Sequence, residues 1–533
     1  MMESRINKTL PHLEESIPKE VFGYPISMYS VALEGWRRGL SLKFISGGRV
    51  KATTIYKLSY KEKELQFSGI RPEIVTNKAI KICNNKNLTK EYLAKAKISI
   101  TEGKTFNNEH SFDEIVTYAH SLDFPVVIKP TNASGGKGVI ANIKNKVEFV
   151  EALNYVKEEL GFKDIIVEKH FEGKDYRVFV VGNQVVGVIH RIPANVIGDG
   201  KSTLSELIKN KLNERAKNPA IKNSPIINDK EMDNLLSENG YTMESIPMLG
   251  ERIFLKTKSN ISAGGDPIDV TDKIVDEVKE NAVKAVKAIP GLFQGGVDVL
   301  YNKKTGESVV LEINTQPSIR THLFPMEGYA RDIPKAIIDY YFPETKSNHV
   351  KSFLYFDMKN VFKLFQSGVA KEIIIPDHPT GELSSFCMKI SGDISKRQLS
   401  LQNFLQKQAK KLKISGSIKH LKYNEIIIIA SGSQQTVQEF KSIIICQLNN
   451  GMKVKEMTEE NWNRPVKMGF EILTSKTQKK RRNEKKKVKI EQEIESLKKE
   501  AIFYKEKYLE LKNSRSWKVT KPMRKISKLF DKR

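Results

Sequence analysis

Between Gly295 and Pro325 the chain reads GGVDVLYNKKTGESVVLEINTQPSIRTHLFP, two apolar runs around a polar turn at Asn302–Gly306. The pattern predicts two paired strands. Residues i and i+2 of a strand share a face, so Glu312 and Asn314 point together, and Asp298 joins them if the strands pair. Upstream, FPVVIKP predicts a buried strand carrying Lys129 near its end. TNASGGKGVIANI then places a glycine-rich loop between two strands. A helix is expected over Val147–Leu160. The stretch DIIVEKHFEGKDYRVFVVGNQVVGVIHR follows as strand, hinge, strand, turn, strand.

The flanks are less marked. Residues 1–80 predict a small α/β leader, with a helix near Ser27–Arg38 and the alternating strands LSLKFIS and YKLSYKEKELQFSG. NNKNLTKEYLAKAKI has the spacing of an amphipathic helix with Asn or Thr caps. Lys209–Gly250 looks like a polar, helical, mobile insertion. An alanine- and lysine-rich helix runs to Ile289, and another is expected over Gly328–Tyr341. A linker is expected at 346–380. Strand SSFCMKISG, helix Lys396–Leu412, strands KISGSIKHL and YNEIIIIASG, helix Gln434–Leu448 and a strand near Met452 follow in βαββαβ order, that of a ferredoxin-like sandwich. The boundaries expected are thus 1–80, 81–345, 346–380, 381–474 and a tail at 475–533.

Composition narrows the class. The chain has 533 residues, 39% hydrophobic and 29% charged, enough for several cores. It shows no run of about 18 apolar residues, and its first twenty residues lack a signal peptide's apolar core. Cys83, Cys387 and Cys446 are too far apart for a disulfide framework or metal knot, so a cytoplasmic setting is expected. The net charge is +26, but residues 475–533 hold 22 Lys and Arg against 8 acidic residues, +14 of that excess. The basicity belongs mainly to the tail.

Three hard oxygen donors, Asp298, Glu312 and Asn314, without Cys or His, suit Mg²⁺ or Mn²⁺ bridging phosphates better than zinc. A hairpin with a solvated acidic face fits the same pattern. Ser134, Gly135, Gly136, Lys137 and Gly138 form a loop whose backbone N–H groups can approach an anion, although an ordinary turn fits too. It is not a Walker loop: the glycine spacing differs and a strand follows. No Ser-His-Asp or Cys-His arrangement stands out.

Together, VEKHFEGKDYRVFVV, RIPANVIGDGKSTLSELI, SNISAGGDPIDVTD and LEINTQPSIRTHLFPMEG resemble the ATP-grasp superfamily. Within it they resemble the ATP-grasp part of cyanophycin synthetases and fused glutathione synthetases, over about residues 75–345. The resemblance implies two α/β subdomains clasping ATP, with the family's functional residues carried over one position at a time. Lys86 and Lys129 would reach the phosphates and Ser134–Gly138 would cover them. Glu168, Lys169, His170 and Phe171 would form the adenine hinge, read mostly through backbone groups, and Asp175 would bind the ribose. Lys256 would be a further phosphate lysine, and Asp298, Glu312 and Asn314 would hold two metal ions. Arg320 and His322 would contact substrate. The implied reaction is ADP-forming: a carboxylate becomes an acyl phosphate, which an amine attacks. Neither the Mur-ligase-like domain of cyanophycin synthetases nor the other half of the glutathione enzymes is apparent, so their products are not inherited.

MKISGD and LKISGSIKHL resemble acylphosphatases. That family's catalytic Arg and Asn fall here on Ser400 or Gln402 and on His420, with Arg397 nearby. A degenerate module for docking or acceptor binding is expected. In the tail, Ile494, Leu497, Ala501, Tyr504, Tyr508 and Leu511 alternate spacings of three and four, enough for a short coiled coil and self-association. NSRSWKVTKPMRKISKLFDKR is basic and amphipathic and resembles tails of surface-polysaccharide proteins, suiting an anionic membrane or a glycan-assembly partner. No nucleic-acid-binding module accompanies it, which disfavours nucleic acid. The expectation is a cytoplasmic, ATP- and Mg²⁺-dependent carboxylate–amine ligase, acting on an amino acid, a peptide or an acidic sugar of a surface polymer, with the membrane within the tail's reach. The rivals are an ATP-grasp kinase or thiol ligase using the same nucleotide site, and a catalytically idle ATP-binding adaptor in a polysaccharide-assembly complex.

Overall fold

The computed structural model describes residues 9–47, 55–131, 138–348, 352–379, 381–393, 398–421, 425–449, 453–473 and residue 507. Two compact units share them. The larger takes 1–384 with short returns at 431–434 and 463–468; the smaller takes 385–430, 435–462 and the chain from 469.

The larger unit begins with α1 (Ile26–Arg37), buried along its whole length. It lies against β1 (Ser41–Ile45) and β2 (Ile55–Tyr60), which continue into β3 (Lys63–Ser68) and β4 (Arg71–Pro72). Period-2 alternation turns Leu42, Phe44, Tyr56, Leu58, Leu65 and Phe67 inward. Burying charge is costly without partners, and the two arginines ending α1 have them. Arg37 donates to the carbonyls of Leu354 (2.9 Å) and His12 (2.7 Å), and Arg38 pairs with Glu34 (2.6 Å) and Asp339 (2.7 Å).

Next come α2 (Asn77–Asn84), α3 (Lys86–Lys95), β5 (Gly103–Phe106), α4 (Phe112–Ser121), β6 (Val126–Pro130), β7 (Ile140–Ile143), α5 (Lys146–Asn154) and β8 (Ile165–Lys169). The strands form an antiparallel sheet in the order β5-β8-β6-β7. Helices α4 and α5 bury Ile115, Phe149 and Leu153 against its Ile128, Ile165 and Val167.

A second antiparallel sheet holds β9 (Lys174–Val181) and β10 (Gln184–Ile192). After β11 (Asn195–Ile197), α6 (Leu204–Lys217), α7 (Lys230–Glu238) and β12 (Arg252–Phe254) come its other strands, β13 (Asp266–Asp269), β14 (Gln294–Tyr301) and β15 (Ser308–Asn314). Its order is β13-β10-β9-β14-β15. The helix α8 (Asp276–Ala288) packs Val278, Ala282, Ala285 and Val286 on it. The short α9 (Arg320–Leu323) and α10 (Ile333–Tyr341) follow, the latter starting later than expected because Asp332 caps it and Pro334 suits its first turn. The stretch 209–250 is not a loose insertion. Leu204, Leu207, Met232, Leu236, Ile253 and Leu255 close a core of their own. Beneath it the buried Asp266 pairs with Arg215 (2.5 Å) and Lys211 (2.7 Å).

The segment expected as a linker, 346–380, is a working part of the larger unit. It forms β16 (Leu354–Tyr355), α11 (Met358–Gln366) and β17 (Glu372–Ile375), and β17 completes the first sheet in the order β17-β1-β2-β3-β4. Phe356 rests on Tyr29, Trp36 and Phe44, and Trp36 donates its indole N–H to the Pro376 carbonyl at 2.8 Å.

The smaller unit has β18 (Leu383–Asp393), α12 (Gln398–Lys411), β19 (Ser415–His420), β20 (Glu425–Ser433), α13 (Gln434–Asn449) and β21 (Lys453–Asn461). The chain then returns to the larger unit as β22 (Val466–Lys467), paired there with β16, before β23 (Phe470–Leu473) joins the smaller unit's sheet. The order β21-β18-β20-β19-β23 is the ferredoxin-like one extended by a final strand parallel to β19. Arg397 and the tail expected at 475–533, apart from Lys507, lie outside the described residues. Among the described residues no helix is long and apolar enough to cross a membrane.

Candidate functional site

The hairpin β14–β15 sets Asp298 directly opposite Glu312 and Gly296 opposite Asn314. The register shifts just after Asp298, a bulge-like irregularity of the kind that re-aims side chains. Asn314 donates to Glu312 at 3.0 Å, and the Glu312 and Asp298 carboxyls meet through a hydrogen bond. The three expected metal residues therefore converge.

Two residues that sequence reasoning missed complete the cluster. Arg177, opposite Asp298 on β9, gives its Nε to Oδ1 and its Nη2 to Oδ2 (2.9 Å). Arg191 on β10 reaches Asp298 Oδ2 at 3.2 Å and Asp175 Oδ1 at 2.5 Å. Burial alone would raise the Asp298 carboxyl; the charges of Arg177 and Arg191 outweigh it and hold the group at about 2. Glu312 is pushed up, first by burial and then by the Asp298 charge.

A second cluster is cationic. Lys129 on β6 and Lys90 on α3 each stand 2.6 Å from a different oxygen of the buried Glu168, and Thr101 donates to the same carboxylate at 3.1 Å. Lys86, in the first turn of α3, donates to the Thr131 carbonyl at 3.0 Å. Burial lowers its ammonium, the Glu312 charge works the other way, and the charges of Lys129 and Glu168 also act on it. The Lys86 ammonium thus sits within the field of both clusters. Backbone joins them as well: Val310 N of β15 donates to Ser99 O (2.9 Å), two residues before Thr101.

The remaining expected residues divide. The Glu168 side chain clamps Lys90 and Lys129. The N–H groups of Lys169 and His170 are taken by the carbonyls of Glu102 (2.9 Å) and Pro125 (3.0 Å), and Lys169 Nζ by Leu122 O (2.8 Å). Phe171 is half-buried beside them. Asp175 is engaged by Arg191. Of the glycine loop, Ser134, Gly135, Gly136 and Lys137 lie outside the described residues. Gly138 has φ +71°, and a Cβ there would stand 2.8 Å from Pro130 Cγ. Lys256 is buried and held by Asp229 and Glu231 (3.4 Å), near the N-terminus of α7. Arg320 is 5% exposed with its guanidinium 3.9 Å from the centre of the Tyr24 ring, and among the described residues no carboxylate pairs with it. Tyr24 in turn hydrogen-bonds Ser262. His322, expected at the substrate surface, is fully buried, with neither ring nitrogen hydrogen-bonded. Burial, then the charges of Arg177 and Arg331, push its imidazole down to about 3. It underlies the site rather than lining it.

The donor set fits a hard divalent cation: two carboxylates, one of them disfavoured as an anion by its neighbour, and an amide oxygen. Among the described residues no group of three or more His, Cys, Asp or Glu could hold a metal, and Asn314 is the residue that would supply a third oxygen donor beside Asp298 and Glu312.

Two antiparallel sheets carrying clustered lysines on one and an Asp-Glu-Asn set on the other are the architecture of an ATP-grasp domain. Residues 83–228 match the RimK-like ATP-grasp domain and residues 397–472 match acylphosphatase. The chain carries a RimK-like ATP-grasp domain followed by an acylphosphatase-like domain. It is 35% identical over 275 residues to the glutathione biosynthesis bifunctional protein GshAB of Clostridium perfringens, covering 49% of this chain and 34% of the relative. It is 29% identical over 333 residues to the cyanophycin synthetase of Trichormus variabilis, covering 61% and 36%. Against the crystal structure of the bifunctional glutathione synthetase from Pasteurella multocida, the TM-score is 0.44 at 28% identity, covering 54% and 40%. The chain spans about a third of the length of the curated relatives it matches.

Proposed function

We propose that the protein is an ADP-forming ligase that activates a carboxylate with ATP and joins it to an amine. The observation that carries this is the meeting of Asp298, Glu312 and Asn314 with Lys86 in one electrostatic neighbourhood, beside the Lys90–Glu168–Lys129 cluster. A carboxylate oxygen is a poor leaving group until it is phosphorylated. Catalysis of that step is mostly positioning and charge neutralisation. Lys86 and Lys129 hold the phosphates, Glu168 aligns Lys129, and Asp175 meets the ribose. Asp298, Glu312 and Asn314 would hold Mg²⁺ or Mn²⁺, which supplies charge neutralisation between phosphate oxygens when bound. Arg320, a buried cation with which no carboxylate of the described residues pairs, would receive the carboxylate of a substrate, with Tyr24 and Ser262 beside it.

Kinship with proteins named for glutathione and cyanophycin, both built from amide-linked amino acids, supports an amino acid or peptide substrate over an acidic sugar. The test is release of ADP and phosphate from Mg-ATP with a panel of amino acids, dipeptides and uronic acids, with hydroxylamine present to trap an acyl phosphate as hydroxamate. Substrate-dependent turnover and hydroxamate are expected, with at least a hundredfold loss in Glu312→Ala, the order seen when a charge-stabilising group is removed from such a site. Nucleotide binding without turnover on any substrate would overturn the ligase reading in favour of an idle adaptor.

A further inference from the structure

Asp298 is caged. Both of its oxygens accept from guanidinium groups: Oδ1 from Arg177 Nε, and Oδ2 from Arg177 Nη2 (2.9 Å) and Arg191 Nη2 (3.2 Å). Asp298 and Arg177 are Cα partners across β14 and β9, and Arg191 follows on β10, so three adjacent strands of one sheet build the cage. Arg191 is anchored in turn by Asp175, through Nη2 at 2.5 Å and Nε at 3.0 Å. The side chains are 7% (Asp298), 17% (Arg177) and 20% (Arg191) exposed, so water screens these charges little. Beneath lies His322, uncharged at neutral pH, and beyond it Arg331 is committed to Asp269 (2.7 Å) and Asp272 (2.6 Å).

Charge counting shows the consequence. Asp175, Asp298 and Glu312 carry three negative charges when ionised, and Arg177 and Arg191 carry two positive ones. A divalent cation arriving alone turns this small surplus of negative charge positive, while two guanidiniums already occupy the ligand it needs. A cation arriving with a polyphosphate brings anionic oxygens that offer the guanidiniums another partner.

We propose that Arg177 and Arg191 are positioning residues that make cation binding conditional on nucleotide, by holding Asp298 in an ion-pair cage until polyphosphate charge draws them away. This rests on the reading of the site as one for nucleotide. The device keeps Asp298 aligned while excluding free metal. Linkage requires the converse too: the cation strengthens nucleotide binding by the same factor.

The test uses the full chain with Mn²⁺ as probe, bound and free metal being resolved by electron paramagnetic resonance. Titrations are made with and without the non-hydrolysable analogue AMPPNP, and binary Mn-AMPPNP is measured separately and subtracted. The wild type should bind Mn²⁺ at least about tenfold more weakly without AMPPNP than with it, within the usual range of such couplings. Arg177→Gln should bind free Mn²⁺ more tightly than wild type and lose most of the difference. Arg177→Lys, which keeps the charge, should restore part of it. A purely structural arginine gives the opposite sign, because its loss would disorder Asp298 and weaken the metal. Asp298→Asn should abolish the site. Equal Mn²⁺ affinity of the wild type with and without AMPPNP overturns the cage. Should Arg177→Gln fail to fold, Arg191→Gln and the wild-type comparison decide. If AMPPNP binds but metal affinity is unconditional, the cage alone falls; if AMPPNP does not bind, the nucleotide reading falls with it.

Discussion

Single residues at this site are tuned by neighbours far away in sequence, and their titration exposes that tuning. His322 is buried as a neutral ring with its imidazole pushed down to about 3. Its folded pKa lies below the ordinary value near 6.5, so the unfolded chain binds the extra proton in that interval and acidification destabilises the fold. The cost grows by about 1.4 kcal/mol per pH unit below the ordinary value, or about 2 kcal/mol by pH 5. His322→Gln should therefore lose less stability than the wild type between pH 7 and pH 5, which urea midpoints at the two pH values would measure. An unchanged difference would show that the ring is accessible to protons in the folded state. Glu168 behaves with the opposite sign. Burial raises its carboxyl, but Lys129 and Lys90 outweigh burial and leave it below the usual range. Its contribution is present above about pH 4.3, the ordinary value, and is lost as pH falls through the lower folded value. Glu168→Gln strands two lysines, so it should cost about 3–5 kcal/mol at pH 7. That deficit should shrink in melts taken at progressively lower pH, as the wild type loses the same charge.

Elements explain why some of this could be foreseen and some could not. Asp298, Glu312 and Asn314 were legible because strand alternation and one hairpin bring them together, both local properties. Lys86 and Lys90 share a face of α3 by the i, i+4 rule, yet only Lys86 stood out, since helical spacing says nothing about Glu168 waiting on β8. Arg177 and Arg191 needed the strand order β10-β9-β14 and its register, which no local pattern encodes. The expected linker failed for a related reason: β17 is a short run whose pairing partner, β1, lies more than 300 residues earlier, and its Trp36 and Phe356 contacts are equally remote in sequence. The position of α3 can be tested directly. Asn85 accepts from Asn87 N (3.0 Å) and Leu88 N (3.1 Å), capping the helix whose first turn carries Lys86. Asn85→Ala should cost about 1 kcal/mol of stability and weaken AMPPNP binding a few-fold, read by thermal melts and calorimetric titration. Stability loss with unchanged nucleotide affinity would mean that the cap does not place Lys86.

At the scale of the whole molecule, the chain joins a domain that we propose makes an acyl phosphate to one that matches a family named for cleaving them, and the two activities side by side would consume ATP to no effect. Residues settle the tension better than family names do. Where acylphosphatases use an Arg and an Asn, this chain has Ser400 or Gln402 and His420. Ser400 is exposed, Gln402 is buried and engaged in packing, and burial pushes the half-buried His420 ring down, so at neutral pH it carries no charge for a phosphate. None of the three supplies the fixed cation that in-line attack on a phosphoryl group needs. The fold has been kept, with Phe386, Ile390, Leu405, Ile428 and Phe440 closing a complete core, which argues for a role that depends on its surface. The full chain should hydrolyse benzoyl phosphate no faster than buffer, and Ser400→Arg with His420→Asn in the same chain should raise the rate if those positions are the ones the fold reserves for catalysis. Hydrolysis by the unaltered chain that disappears in His420→Ala would reverse the argument: the module would then be an editing site, discarding acyl phosphates that the larger unit should not have made.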